Sequence, residues 1–335
     1  MARQSLAFSI FLFFIIVSIL LVLFAKKPVS ERRNKLEIDI QDKETNNDQP
    51  NDKVASQELE TQLTQELLAN KQTSSESEQL RNIGDYVFRI RSFHIQKKGL
   101  SEAECEDKNA LSKNSLNLRV AVADGATESL FSDVWADILV NNYVEKGADF
   151  FQFSELESAN QKFVQKTSQQ ILGMPETRQW FMYEKLERGT HATLAAVEFS
   201  SSLERVQILT VGDSCVFWCN GNADEVNMLP ELSPEDFGSF PASICHLSKT
   251  WQSLEQKIVR KEVTFQNTLQ MILCTDALAC WLVTKLKSQP SNWERLFQIS
   301  DDSSFTNFIE TLREQNNIRN DDVTAVLIDV LPLNV

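Results

Sequence analysis

Glycine is scarce in this chain: 9 of 335 residues, roughly 2.7% against a usual figure of about 7%. Each glycine is therefore worth reading. Histidine is scarcer still, with only His94, His191 and His246, which argues against a His-rich zinc centre. The signatures of the commonest nucleotide, acyl-transfer and zinc-protease sites are absent. There is no Gly-Lys-Ser/Thr phosphate loop, no G-x-G-x-x-G, no G-x-S-x-G elbow, no H-E-x-x-H and no Cys/His pair at zinc spacing. Positive charge is in deficit, with 33 Lys+Arg against 47 Asp+Glu and a net charge of -14. That balance excludes a sequence-independent nucleic-acid binder, which needs clustered cations to displace counterions. Six cysteines are present, but they are scattered over a long chain and not packed into a small disulfide framework. Cys215 and Cys219 lie on one strand-like run, where four residues span roughly 13 Å, while a disulfide needs Cα atoms within about 7 Å. Buried free thiols in a reducing compartment are expected.

What is present starts with residues 6–25, LAFSIFLFFIIVSILLVLFA, with only Ser9 and Ser18 polar. As a helix, twenty residues span about 30 Å, the thickness of a bilayer's hydrocarbon core. The run is longer than the apolar region of a cleavable signal and ends without an Ala-x-Ala exit site, so an uncleaved anchor within residues 1–26 is expected. Lys26, Lys27, Arg32 and Arg33 follow it and only Arg3 precedes it. The positive-inside rule then places the remainder of the chain in the cytoplasm. Residues 27–82 contain no glycine and much Glu, Gln, Asn, Asp and Ser. They read as a polar, mostly disordered linker. Leu59, Leu63 and Leu67 within it are spaced for one short helix.

From residue 83 to 335 the texture changes. YVFRIRSFHI, LNLRVAVAD, ATLAAVEF, RVQILTVGDSCVFW, KIVRKEVTF, LQMILCTD and DVTAVLIDVL are rich in Val, Ile and Phe and read as strands. Helices are expected over residues 129–146, 154–172, 275–287 and 303–315. Strands cluster on either side of helical blocks, often at hairpin spacing, which favours an α+β layered domain over a doubly wound parallel sheet. Trp135, Trp180, Trp218 and Trp281 fall in amphipathic patterns and are expected in the core.

Aspartates stand at strand ends, where side chains leave the sheet and can converge. LRVAVAD ends in Asp124-Gly125, and LQMILCTD ends in Thr275-Asp276. Arg319-Asn320-Asp321-Asp322 runs into the last strand, and Glu104-Cys105-Glu106-Asp107 opens the domain. A buried carboxylate resists ionisation unless it is paired or metal-bound. Acidic strand ends with few nearby bases suggest ligands for a hard divalent cation, Mg²⁺, Mn²⁺ or Ca²⁺ rather than Zn²⁺. Singly, each has a plain reading as a turn or a helix cap.

In this order and company, the residues resemble the metal-dependent protein phosphatases of the protein phosphatase 2C type. Glu106-Asp107 resembles the early acidic pair, and VAVADGATES the strand with its Asp-Gly metal motif. Gly189-Thr190-His191-Ala192-Thr193 and Val211-Gly212-Asp213-Ser214 are similar to the family's Gly-Ser/Thr-Thr-Ala strand and Gly-Asp-Ser hairpin. CTDALACWL and NDDVTAVLI are similar to its last two aspartate motifs. The AVADGATES and TDALACWL spellings are closest to a bacterial branch.

The resemblance implies two packed antiparallel sheets flanked by helices, preceded here by one transmembrane helix. It also implies a serine/threonine phosphoprotein phosphatase that uses two divalent cations, Mn²⁺ or Mg²⁺, which the apolar run read above would anchor to a membrane. Asp124 would bridge the cations, the Gly125 carbonyl would ligate one, and Asp276 and Asp321 would complete the other. Asp107, with Glu106 in support, would bind directly or through water. A cation-bridging hydroxide would attack phosphorus in line.

The chain departs from the family in several places. Ala126 and Thr127 stand where many members have His and a second Gly, and Ala277 stands for the usual Gly after the third aspartate. No Arg immediately precedes Glu106-Asp107 to hold substrate phosphate, and Arg89, Arg91 and His94 are the nearest upstream candidates. His94 is either a phosphate contact or a partly exposed strand histidine. Asp213 either closes a hairpin or holds a weaker third metal. These losses leave a second reading open, a catalytically degenerate module that binds phosphoproteins or scaffolds at the membrane.

Overall fold

The computed structural model describes residues 77–113, 117–200, 204–221, 223–238 and 240–333. The chain divides after Leu63, and every described residue lies in the second unit, Thr64–Val335. The apolar run expected as an anchor, and the polar stretch after it as far as residue 76, lie outside the described residues. Among the described residues no helix is long and apolar enough to cross a membrane.

In chain order the strands are β1 (Glu78–Ile83), β2 (Tyr86–Ile95), β3 (Lys108–Leu111), β4 (Asn117–Ala123), β5 (His191–Ala192), β6 (Leu194–Ser200) and β7 (Arg205–Val211). They continue with β8 (Cys215–Cys219), β9 (Asn227–Leu229), β10 (Ile244–Cys245), β11 (Val259–Thr264), β12 (Leu269–Cys274) and β13 (Val323–Pro332). One sheet runs β1-β2-β13-β12-β8-β9, a second runs β11-β7-β6-β4-β3, and β10 pairs with β5. Every pairing is antiparallel. The helices are α1 (Ser132–Lys146), α2 (Phe153–Leu172), α3 (Glu176–Glu187), α4 (Asp276–Leu286), α5 (Ser291–Phe297) and α6 (Asp302–Glu314).

Alternation along the strands sorts the side chains into layers, because successive residues face opposite sides of a sheet. Val120 and Val122 of β4, Val197 of β6, Met271 of β12 and Ile328 of β13 point between the sheets and form one core. Ala121 and Ala123, one residue out of phase, face the opposite way into a second core with Trp135, Leu139 and Phe163 of α1 and α2. Ala325 and Leu327 of β13 join Leu278 of α4, Trp293 of α5 and Phe305 of α6 in a third. The result is four layers, helix–sheet–sheet–helix: the α+β layering that the strand and helix pattern favoured, with the two packed sheets that the family resemblance implied. Because both its faces are covered, β13 is buried from Val323 to Val330 and is mostly apolar, interrupted by Thr324 and by Asp329, which pairs with Arg91.

Two features were not legible in the sequence pattern. The strand β1 overlaps the last residues read as linker. Of EQLRNI only Ile83 is buried, so this edge strand is held by backbone pairing to β2 and carries no apolar stripe. The helix α3 buries no residue, and its Trp180 is 65% exposed. This corrects the expectation of a core position: an aromatic at helical spacing enters a core only if another element covers that face. Trp135, Trp218 and Trp281 are buried as expected. All six cysteines are free, Cys280 half-buried and the others buried.

Candidate metal centre

Strand register carries distant carboxylates to one end of the sandwich. In the β3–β4 ladder Lys108 faces Ala123, so the residues one step beyond, Asp107 and Asp124, leave the sheet opposite each other. Cys274 of β12 faces both Ala325 of β13 and Cys215 of β8. Asp276 therefore emerges beside the Gly212-Asp213 turn and beside Asp321-Asp322, which lead into β13. Asp276 is also the first residue of α4, where the helix dipole favours a carboxylate.

The backbone around Asp124 is closely fitted. Thr193 N donates to the Asp124 carbonyl at 2.9 Å, and Gly125 forms an isolated bridge with Ala192. A Cβ on Gly125 would stand 2.8 Å from the Ser132 carbonyl carbon, well inside contact distance, so the start of α1 can approach only a glycine. At Gly212 the backbone adopts φ +93, and a Cβ would lie 2.4 Å from the Ala242 carbonyl oxygen. These contacts give two of the scarce glycines a steric reason.

Hydrogen bonds join the motifs. Thr275 Oγ1 donates to Asp107 Oδ2 at 2.8 Å and accepts from Thr324 N at 3.0 Å, so one buried hydroxyl ties the ends of β12 and β13 to the entry of β3. Asp322 accepts from Lys97 N at 2.7 Å and from Glu106 N at 2.8 Å, which fixes the loop carrying Glu106-Asp107. Ser132 Oγ donates to Glu106 Oε1 at 2.5 Å. Thr193 and Ser214 share a 2.6 Å bond between their hydroxyls, linking the glycine-containing motifs that precede β6 and β8.

Electrostatics record the convergence. Burial pushes the Asp124 carboxyl well above the usual range, and Asp107, Asp276, Asp213 and Asp321 push it further. Asp107 is also raised well, by burial first and then by Asp322 and Asp276, against the opposing hydrogen bond from Thr275. Burial raises Asp276 too, although the Arg319 guanidinium pulls it back. Glu106 is raised by burial, with Ser132 and Thr127 opposing. Asp213 is 3% exposed, neither carboxylate oxygen has a hydrogen-bond partner, and burial followed by Asp276 pushes it up to about 7. Like charges in a shared low-dielectric pocket favour the protonated forms unless a cation compensates.

The donor chemistry fits hard divalent cations. Every candidate ligand offers oxygen, two carboxylate oxygens of Asp213 lack a partner, and the Gly125 carbonyl is positioned by a backbone only glycine allows. Among the described residues no three His, Cys, Asp or Glu side chains close around a single ion. Cations here would be held by one or two carboxylates each with water completing the shell, a normal mode for Mg²⁺. Asp107, Asp124 and the Gly125 carbonyl, together with Asp276 and Asp321, are the residues that would hold them.

Two protein cations already touch the cluster. Arg319 Nη2 donates to Asp276 Oδ2, and Lys97 Nζ lies 3.7 Å from Asp321 Oδ1. His94 is not part of it: it is exposed on β2 and its described partner is Glu102, at 3.2 Å. Arg89 pairs with Glu78 at 3.1 Å. Arg91 is buried against Asp329 and the carbonyls of Phe297 and Ile299, where it fastens α5 to the sheet. His191 is half-buried beside Ser243 at 3.0 Å. His246, to which the sequence assigned no role, accepts from Thr190 N at 2.8 Å, and burial pushes its imidazole down to about 4. Thr275, Asp322 and Arg319 were missed as functional positions, because their partners are remote in sequence and no spacing marks them.

A family model for protein phosphatase 2C matches residues 94–327, most of the chain and all of Asp107, Asp124, Asp213, Asp276 and Asp321. The chain belongs to the protein phosphatase 2C family, and it is a protein phosphatase. Among solved structures it is similar to the catalytic domain of the serine/threonine protein phosphatase PstP solved with two manganese ions (18% identity, covering 73% of this chain and 99% of that chain, TM-score 0.46). It is also similar to Mycobacterium tuberculosis PstP/Ppp (18% identity, 73% and 99%, TM-score 0.44) and to Staphylococcus aureus Stp1 (12% identity, 75% and 96%, TM-score 0.44). A search of curated proteins gives no match.

Proposed function

We propose that this protein is a Mn²⁺- or Mg²⁺-dependent serine/threonine phosphoprotein phosphatase, tethered to the cell membrane by residues 6–25 with its domain in the cytoplasm. The observation that carries the reading is the gathering of Asp107, Asp124, Asp213, Asp276 and Asp321 at one end of the sandwich, where burial and then neighbouring carboxylates raise the proton affinity of Asp107, Asp124, Asp213 and Asp276. Maintaining such repulsion has a physical reason if cations are to be bound there. When bound, a pair of divalent cations would supply Lewis acidity and a water made nucleophilic near neutral pH.

The chain's own residues do the remainder. Thr275 and Asp322 hold the loop bearing Asp107 against the strand ends. Gly125 allows the start of α1 to close on the Asp124 turn. Ala126 supplies no imidazole from the Asp-Gly turn itself, so the proton for the departing serine or threonine oxygen comes from water or from another acid. The anchor rests on the length of the apolar run and on Lys26, Lys27, Arg32 and Arg33 behind it.

The test is hydrolysis of p-nitrophenyl phosphate and of a phosphothreonine peptide by the full chain in detergent, with and without Mn²⁺. Turnover is expected only with the cation, and Asp124→Asn is expected to lower it by at least about 100-fold, the scale of losing a positioned charged group. Absence of turnover with any divalent ion, together with Mn²⁺ binding no tighter than in Asp124→Asn, would favour the phosphoprotein-binding module. Alkaline phosphatase fused after residue 82 is expected to be inactive, and an active fusion would reverse the orientation.

A further inference from the structure

Arg319 makes a contact that the proposed chemistry does not use. Its guanidinium sits on Asp276, and Asp321 also stabilises its charge. The Asp276 side chain is 14% exposed and that of Arg319 is 43% exposed, so the arginine reaches inward from the surface. Other arginines nearby are committed elsewhere. Arg313 donates to the Asp321 carbonyl oxygen and to Glu310, and Arg91 is locked under α5. Among the described residues Arg319 is the guanidinium paired with one of the candidate cation ligands.

The backbone that carries Arg319 is fixed, whereas its side chain is long and rotatable. Asn320 accepts from Lys98 N at 2.8 Å and donates back to the Lys98 carbonyl at 3.3 Å. Asp321 N donates to the Arg319 carbonyl at 3.1 Å, and Arg313 grips the Asp321 carbonyl from the other side. Movement at this position therefore belongs to the side chain.

A carboxylate oxygen cannot serve a guanidinium and a divalent cation at full strength. Their positive charges repel across a few ångströms, and burial of Asp276 weakens the screening between them. A cation taken up at Asp276 Oδ2, the oxygen that Arg319 holds, displaces the guanidinium, which then stands beside the new positive charge. It needs an anion there. A phosphate monoester supplies coplanar oxygens that match the guanidinium fork, which an ammonium such as Lys97 cannot engage in the same bidentate way.

We propose that Arg319 exchanges partners, leaving Asp276 when a divalent cation binds and then holding the phosphate of the substrate. Arg319 thus both restrains cation uptake and supplies the phosphate contact for which no arginine stands ahead of Glu106-Asp107. This inference rests on the metal-dependent phosphatase reading, and its experiment separates the two. Mn²⁺ is titrated calorimetrically into the full chain, wild type, Arg319→Ala and Arg319→Lys, and inorganic phosphate is used as an inhibitor of p-nitrophenyl phosphate hydrolysis.

Arg319→Ala is expected to bind Mn²⁺ about 3- to 10-fold more tightly, because its competitor is gone. Its KM and its inhibition constant for inorganic phosphate are expected to rise about 10- to 100-fold, the scale of a charge-assisted hydrogen bond, with a smaller fall in kcat. Arg319→Lys is expected to lie between, with an unchanged melting temperature showing that the fold is kept. Manganese binding no tighter than wild type, or phosphate inhibition unchanged in Arg319→Ala, overturns the exchange. Absence of wild-type turnover at any Mn²⁺ concentration overturns the phosphatase reading instead, and the manganese titration still decides whether Arg319 restrains the cation.

Discussion

Thr275 shows how one side chain can organise a site without facing substrate. Its hydroxyl donates to Asp107 and accepts from the backbone of Thr324, and the residue is wholly buried. Thr275→Val keeps the shape and removes both bonds, leaving a buried N–H and a buried carboxylate oxygen without their partner. A loss of about 1–3 kcal/mol is expected, read as a lower urea midpoint with an unchanged slope. Mn²⁺ affinity should weaken in the same variant, since Asp107 is no longer held. An unchanged affinity would mean that the loop is positioned by Asp322 alone. Gly125 acts by what it lacks: the space a methyl would need is filled by the backbone of Ser132.

At the scale of elements, helices of similar sequence character have opposite fates. The helix α1 lies on the β4–β6 face and buries Trp135, whose indole Nε1 donates to the Ile244 carbonyl oxygen at 2.8 Å. The helix α3 carries Trp180, Phe181 and Tyr183, all exposed, and buries nothing. Trp135→Ala is expected to cost about 3–5 kcal/mol, as large-to-small changes in a close-packed core do. Trp180→Ala is expected to change stability by less than about 0.5 kcal/mol. Chemical denaturation of both variants checks the contrast, and a cost above about 2 kcal/mol for Trp180→Ala would mean that another part of the chain covers α3.

Over the whole molecule, proton and cation binding are linked. A carboxyl whose folded value lies above its unfolded one keeps its proton longer in the native state. Stability is then present at low pH and lost as pH rises from about 4, where the unfolded group ionises, through the folded value. For Asp213 that window ends at about 7. His246 acts in the opposite sense: its folded value, about 4, lies below an unfolded value of about 6.5, so its contribution grows as pH rises through that interval. Comparing wild type with Asp213→Asn cancels the histidine. The wild-type melting temperature should fall relative to the variant between pH 5 and pH 8 in EDTA, and saturating Mn²⁺ should remove most of that difference. Parallel melting curves for the pair across the window would contradict the raised proton affinity of Asp213.

Much of this protein was determined locally. Alternating Val, Ile and Ala residues specify strands and their two faces. A missing Cβ marks the places where the chain must turn or be approached, as at Gly125 and Gly212. Aspartates at the ends of apolar runs emerge where sheets end. These are short-range consequences of periodicity and backbone sterics, so β4, β12, β13 and Asp107, Asp124, Asp276 and Asp321 were all legible in the sequence. Only the tertiary structure decided which strand ends meet, and that meeting assigns Thr275 to Asp107, Asp322 to the Glu106 loop, Arg319 to Asp276 and His246 to Thr190. It also decided that α3 stays uncovered and that β1 pairs without an apolar face. Each depends on groups tens to hundreds of residues apart being brought within a few ångströms, a through-space relation that neither composition nor spacing encodes.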